Sequence, residues 1–320
     1  MTRHLLSVAD LSAGELTAVL DLAALPEPPS ILRGKGAALV FEHPSARTRN
    51  AAELAVVQLG GHPVTMRGEE VGIDRRETAE DVARTLACFH AVVAARVAAH
   101  GTLERMAAAL DASGVGVPVV NLLSDREHPT QAVADLLTIR QHLGVLAGRV
   151  IAYVGDGNNV CRSLVLAAAL AGVAVHVAAP PGYGLSPADL RRAEELGGSV
   201  RTHTVAAEAV AEADVVYTDV WTSMGQDAER EARLAAFRGF TVDGELLDAA
   251  PPRALVMHCL PAHRGEEISA AVLEERSVVW QQAENRMHAL RGILLFLLGQ
   301  AEPGPGQSGA QDPGAGRSEP

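Results

Sequence analysis

The sequence predicts an α/β protein of two doubly wound domains with parallel sheets, linked by crossing helices. Three observations carry this reading. Short apolar runs alternate with helical periodicities along nearly the whole chain, the pattern of parallel strands covered by helices. The 320 residues exceed one typical domain. Hydrophobic residues make up 48% of the chain and aromatics only 3%, so a large core can be built from Ala, Val and Leu.

Each element follows from local signals. Leucines at 11, 16, 20 and 22, with Asp10 or Ser12 as the cap, predict a helix over 10–24 that Pro26, Pro28 and Pro29 stop. Residues 37–41 read as a buried strand. Pro44 and Ser45 punctuate it, and Ala51, Leu54 and Val57 then recur at helical spacing until Gly60-Gly61. Residues 62–66 read as a short strand and 67–76 as a polar loop, either a ligand cover or an ordinary solvated segment. Helices follow over 77–89 and 103–110, and strands over 91–95 and 117–123. Pro129 opens and Gly144 closes a strong helix over 129–143 that bridges two domains.

The alternation then restarts. Strands are expected at 150–154, 173–178, 199–203, 215–217 and 254–257, and helices at 160–171, 187–196 and 206–211. A long helix over 281–298 carries Arg286 and is expected to pack back on the first domain. The domains are therefore placed at 1–144 and 145–284, with a returning helix at 285–300. Residues 301–320 hold five Gly and four Pro without an aromatic or β-branched residue, which predicts a disordered tail.

Composition narrows the function. A net charge of −12 argues against nucleic acid or an acidic membrane as a general partner, while a small anion needs only a local basic pocket. Cys88, Cys161 and Cys259 are odd in number and far apart, which fits a reducing compartment. Without a signal-like start or an 18-residue apolar run, the expectation is a cytoplasmic protein without a membrane partner.

The chemistry begins at Ser45-Ala46-Arg47-Thr48-Arg49. Ser45 is the expected N-cap. Two arginines in a helix's opening turn face the wrong end of its dipole, a conflict that an anion resolves. A phosphate there could take backbone N–H groups, the Ser45 and Thr48 hydroxyls and a fork from Arg47. The alternative is that both arginines pair with surface carboxylates. Arg96 directly follows one strand and His128 follows another, so both belong at the strand ends where α/β sheets bind ligands; taken singly, such an arginine is more often a surface residue and such a histidine more often a structural one, and it is their shared place at strand ends that points to a site. The turn Gly155-Asp156-Gly157-Asn158-Asn159 is not a dinucleotide fingerprint, because Val160 stands at the third glycine and Ala178-Ala179-Pro180 where an acid is needed. It presents asparagine amides to a small polar ligand instead.

Together, Ser45-Ala46-Arg47-Thr48-Arg49, His128-Pro129-Thr130-Gln131, Asp219-Val220-Trp221-Thr222-Ser223-Met224-Gly225, His258-Cys259-Leu260-Pro261 and Asn285-Arg286 resemble, in order and spacing, the motifs of the ornithine carbamoyltransferase family. The resemblance spans roughly residues 1–300. It implies one domain for carbamoyl phosphate and one for L-ornithine, a homotrimer, and a place in arginine biosynthesis. It also implies that Ser45, Ala46, Arg47 and Thr48 bind the phosphate. Arg96, His128 and Thr48 would address the carbonyl oxygen, and Gln131 and the Leu260 backbone the carbamoyl amide. Asn159, Asp219, Ser223 and Met224 match amino-acid-binding positions, and Cys259 and Arg286 catalytic-site positions.

No cofactor or metal is implied; His258 and His263 near Cys259 lack the spacing of a zinc site. Asp219 and Cys259 are the candidates to orient the amine or take its proton, and Cys259 on its own reads equally as a buried structural thiol. The chain departs from the family pattern at Ala46, which replaces a threonine, at Thr130, which replaces a cysteine, at Arg162, and at Leu290-Arg291. Glu70 to Arg76 does not align with the family's loop. The competing readings are a different amine acceptor, such as aspartate or an acylated ornithine, and a catalytically impaired paralogue acting as a binding or assembly partner.

Overall fold

A computed structural model describes residues 2–222 and 227–299. The first lobe runs α1 (Ala13–Ala23), β1 (Gly36–Phe41), α2 (Ala46–Gln58), β2 (His62–Arg67), α3 (Gly68–Val71), α4 (Ala79–Ala87), β3 (His90–Arg96), α5 (His100–Ser113), β4 (Val119–Leu123) and α6 (Pro129–Leu143). Its four strands are parallel, in the order β2-β1-β3-β4. Ala37, Ala38, Leu39 and Val40 are all buried, the mark of a parallel strand covered on both faces. Leu5 extends the far edge by pairing with Val120.

The second lobe runs β5 (Val150–Val154), α7 (Asn159–Leu170), β6 (Ala174–Ala178), α8 (Pro187–Glu195), β7 (Ser199–His203), α9 (Ala206–Val210), β8 (Val215–Thr218), α10 (Arg230–Ala236), α11 (Gly244–Asp248), β9 (Leu255–His258), α12 (Ala270–Glu275) and α13 (Val279–Leu297). Its five strands are also parallel, in the order β7-β6-β5-β8-β9. In each sheet the strand order reverses once, between β1 and β3 and between β5 and β8. Ligand crevices form at such points, beyond the carboxyl ends of the strands.

Helix α13 leaves the second lobe and packs on α1, α2 and α6 of the first. Its approach to α1 is close enough to demand a glycine: a Cβ on Gly292 would lie 2.5 Å from the Val19 carbonyl oxygen and 2.7 Å from the Ala23 nitrogen. Asn285 Nδ2 donates to Thr138 Oγ1 at 2.9 Å and to Gln141 Oε1 at 2.7 Å, fastening α13 to α6. Leu290 is core, and Arg291 donates to Gln58 and to the Ala23 and Leu25 carbonyls at the end of α1. This departure from the family pattern therefore serves packing.

Several elements differ from expectation. Helix α1 is capped by Ser12, whose Oγ accepts from the Glu15 N–H while the Glu15 carboxylate accepts from the Ser12 N–H, a reciprocal capping box. Asp10 instead accepts from the N–H groups of Leu6 and Ser7 and ends a separate 3-10 turn. The 67–76 loop contains a single helical turn, because Glu70 reaches back to the Arg67 N–H at 2.9 Å. Helix α4 starts later than expected, after its cap Thr78, and α5 is longer at both ends. Helices α10, α11 and α12 are too short for periodicity to reveal. The expected disordered tail lies outside the described residues. No helix among the described residues is long and apolar enough to cross a membrane.

Candidate active site

Ser45 caps α2 as expected: its Oγ accepts from the Thr48 N–H at 3.3 Å and donates to Thr48 Oγ1 at 3.1 Å. The buried Thr48 hydroxyl also accepts from Arg286 Nη2 at 2.7 Å and, more weakly, from Arg96 Nη1 at 3.4 Å. Arg286 Nη2 lies 3.4 Å from His128 Nε2. Residues from α2, the end of β3, the start of α6 and the middle of α13 thus meet at one helix N-terminus.

The electrostatics of this cluster are one-sided. Neither Arg96 nor Arg286 has a carboxylate within ion-pair distance among the described residues, nor does Arg47 at the exposed lip. Burial lowers both buried guanidinium pKa values to about 10, helped by Arg47 in both cases and by Arg286 in the case of Arg96. Arg96 Nε is buried without a partner among the described residues. Burial and the same three arginines push His128 well below the ordinary histidine value, so its imidazole is neutral at pH 7. Unpaired buried cations around free helix N–H groups amount to an anion site. Arg49 takes no part: its Nε pairs with Glu53 at 2.8 Å on the surface, the carboxylate-pairing alternative. Ala46 is exposed at the first turn of α2, where its backbone remains.

The second lobe contributes a polar group beside the cations. Asp219, directly after β8, accepts from Cys259 Sγ at 2.9 Å and the Val220 N–H at 2.8 Å through Oδ1, and from Asn158 Nδ2 at 2.8 Å through Oδ2. Burial pushes the Cys259 thiol well above its ordinary pKa, and neighbouring Asp219 adds to this, so Cys259 carries its proton at neutral pH. Arg286 lies near enough to Cys259 to oppose that shift slightly, so the two clusters are close to one another. Asp219, His258 and Cys259 each offer a metal-ligand atom within 4.8 Å of the others. However, both His258 nitrogens are already used, Nδ1 accepting from the Leu260 N–H at 2.9 Å and Nε2 facing Glu267 at 3.1 Å.

Asn159 stands at the first turn of α7 and donates from Nδ2 to the Ser124 carbonyl at 2.7 Å, tying the second lobe to the loop before His128. Its neighbour Asn158, the other asparagine of that turn, to which the sequence assigned no separate role, both caps α7 and contacts Asp219. Sequence signals for Asn158 existed in its place before an apolar helix. Arg162 is satisfied by Glu127 at 3.1 Å and by Asp189. Gln131 is buried on the turn of α6 after His128, and Leu260 follows the end of β9. Ser223 and Met224 lie outside the described residues.

Two parallel-sheet α/β lobes thus meet over the buried guanidinium groups of Arg96 and Arg286, which have no carboxylate partner among the described residues. The chain belongs to the aspartate/ornithine carbamoyltransferase family: the family's carbamoyl-P binding domain matches residues 3–141 and its Asp/Orn binding domain residues 147–297. It is 48% identical to an ornithine carbamoyltransferase of Parafrankia sp., over 95% of this chain and 98% of that one. It is 47% identical to that of Archaeoglobus fulgidus, over 93% and 98%. Among solved structures, the ornithine carbamoyltransferase of Pyrococcus furiosus superposes with a TM-score of 0.86 at 41% identity, covering 93% of this chain and 97% of that one. The Thermus thermophilus enzyme gives 0.83 at 45%, covering 93% and 99%.

Proposed function

We propose that this chain transfers the carbamoyl group of carbamoyl phosphate to the δ-amine of L-ornithine, giving L-citrulline and phosphate. The observation that carries this reading is the cluster of Arg96, Arg286 and neutral His128 around Thr48 at the α2 N-terminus, with the Asp219–Cys259 pair close to Arg286.

The amine nitrogen bonds to the carbonyl carbon, the bond from that carbon to the phosphate oxygen breaks, and the proton the amine loses passes to the departing phosphate, which leaves as hydrogen phosphate. No covalent enzyme intermediate is required. Ser45, Ala46, Arg47 and Thr48 hold the phosphate through hydroxyls, backbone N–H groups and charge. Arg96 and His128, with Thr48, polarise the carbonyl oxygen, and one such donor is worth about 3–4 kcal/mol in the transition state. Gln131 and the Leu260 backbone hold the carbamoyl amide, and Arg286 stabilises charge developing on the leaving group.

Ornithine's amine must arrive uncharged from a resting value near ~10. Asp219 is the oxygen that orients it, exchanging the Cys259 Sγ–H for the incoming N–H. Because Cys259 holds its proton, it acts as a positioned donor and not as a base. Asn159, Ser223 and Met224 bind the α-amino acid end. Closing the lobes excludes water and brings amine and carbonyl together.

An assembly of three chains in the cytoplasm, serving arginine biosynthesis, completes the reading. Uncovered apolar side chains support an assembly: Phe89 is 73% exposed, and Leu54 and Val57, one turn apart on α2, are half exposed. The test is turnover of carbamoyl phosphate with L-ornithine, N-acetyl-L-ornithine, L-aspartate and putrescine supplied separately. Citrulline formation with ornithine alone is expected. Preferential carbamoylation of another acceptor overturns the Asp219 assignment, and no turnover with any acceptor overturns the activity.

A further inference from the structure

The carboxyl of Asp135 is fully buried on α6, one turn beyond Gln131, in the seam where α6, β8 and α13 meet. Three donors converge on it. Gln131 Nε2 donates to Oδ1 at 2.8 Å, Gln282 Nε2 to Oδ1 at 2.7 Å, and the Tyr217 hydroxyl to Oδ2 at 3.1 Å. Gln282 continues the chain: its Oε1 accepts from the His258 N–H at 2.9 Å, and His258 Nδ1 accepts from the Leu260 N–H at 2.9 Å. One carboxyl therefore connects to both groups assigned to the carbamoyl amide, Gln131 in the first lobe and the Leu260 backbone in the second.

The chemistry of an amide makes this connection directional. Asp135 Oδ1 takes two amide N–H groups and remains an acceptor even when Oδ2 carries a proton, so Gln131 turns its NH2 toward Asp135 and its carbonyl oxygen away. Gln131 Oε1 is left buried without a partner among the described residues, on the helical turn that follows His128. An unpartnered buried acceptor next to the anion site is what the NH2 group of a carbamoyl moiety requires. Without Asp135 the two amide orientations would be nearly equivalent, and the flipped one would point a donor at a donor.

We propose that Asp135 is a positioning residue that sets the amide orientation of Gln131 and the register of Leu260, and thereby makes the site select the carbamoyl group over bare phosphate. The inference rests on the carbamoyl-phosphate reading given above. Burial raises the Asp135 pKa to about 7, against the opposing pull of its hydrogen bonds from Gln131, Gln282 and Tyr217 and of the nearby Arg286.

The experiment compares Kd for carbamoyl phosphate and for inorganic phosphate by calorimetry in the wild type, Asp135→Leu, Asp135→Asn, Gln131→Ala and the double variant Asp135→Leu/Gln131→Ala. Both ligands use the phosphate clamp, but only one carries an NH2. Asp135→Leu is expected to lose about tenfold of the preference for carbamoyl phosphate, the scale of one hydrogen bond in a buried site, with phosphate affinity within twofold of wild type. Gln131→Ala should lose the same amount, and the double variant no more than either single change. Asp135→Asn keeps an acceptor for both glutamine amides and should retain the preference within threefold.

Retained preference in folded Asp135→Leu, or losses that add in the double variant, overturns the proposal. Should Asp135→Leu not fold, Asp135→Ala carries the same comparison. A wild type that does not prefer carbamoyl phosphate to phosphate overturns the underlying reading instead, a result distinct from either of these.

Discussion

Replacing Arg96 by Met should stabilise the unliganded protein while nearly abolishing its activity. Arg96 is buried at the end of β3 with a pKa of about 10 in place of 12.5. The depressed value means that the fold disfavours the charged form relative to the unfolded chain, so at pH 7 the native state bears a cost. That cost is on the order of 3 kcal/mol, and water reaching the open crevice trims it to about 2 kcal/mol. The guanidinium returns little to the fold: it makes one hydrogen bond, to Thr48 at 3.4 Å, and its Nε is already unpaired. Met matches the length of the stem and introduces no charge. Urea unfolding without ligand at pH 7.5 should therefore show Arg96→Met more stable by about 2 kcal/mol. Losing a donor to the developing oxyanion should lower turnover by about 10²–10³-fold. A destabilised variant would show that Arg96 is a satisfied structural cation, and near-normal turnover would show that it does not face the reacting carbonyl. Either result refutes the reasoning.

Three further outcomes follow from the same geometry. Arg47→Ala should weaken carbamoyl phosphate binding by about tenfold or more through loss of a charge-assisted contact, whereas Arg49→Ala, which breaks only an exposed pair with Glu53, should leave it within twofold by calorimetry. Cys259→Ser should lower turnover by about tenfold while shifting the melting temperature by only a few degrees, because a hydroxyl can still donate to Asp219; unchanged kinetics would make the thiol structural. For pH, His128 is held below its ordinary value of 6.5, so its contribution to stability is present above pH 6.5 and is lost as the pH falls and only the unfolded chain takes up the proton. Asp135 works in the opposite direction: its raised value makes the fold lose stability as pH rises from 4 to 7, on the order of 4 kcal/mol. Unfolding of Asp135→Asn across that range should show the variant gaining on the wild type as pH increases.

Much of this fold was legible because its signals are local. Strands β1, β3, β5 and β6 are apolar runs bounded by turn residues, and α6 carries its own start and stop in Pro129 and Gly144. The Ser45 cap and the gathering of Arg96 and His128 with the clamp followed from strand-end topology alone, and the structure places all three together. Other features depend on tertiary contacts that no window of sequence contains. Arg47 and Arg49 look alike in the motif, yet helical rotation turns one to the site and the other to Glu53. The α10, α11 and α12 helices are five to seven residues long and exist because the second lobe packs them. Asp135 reads as the one acid of its helix, and only the arrival of Tyr217 and Gln282 from the other lobe gives it a role.

The most direct test of one crevice holding both substrates is calorimetry with phosphonoacetyl-L-ornithine, a single molecule that joins a phosphonate to the ornithine δ-nitrogen. One molecule per chain is expected, bound at least about a hundredfold more tightly than phosphonoacetamide, since the linked halves reach the Arg96–Arg286 cluster and Asp219 together. Binding no tighter than phosphonoacetamide, or equal to that of phosphonoacetyl-L-aspartate, would contradict the assignment of the two lobes to carbamoyl phosphate and ornithine.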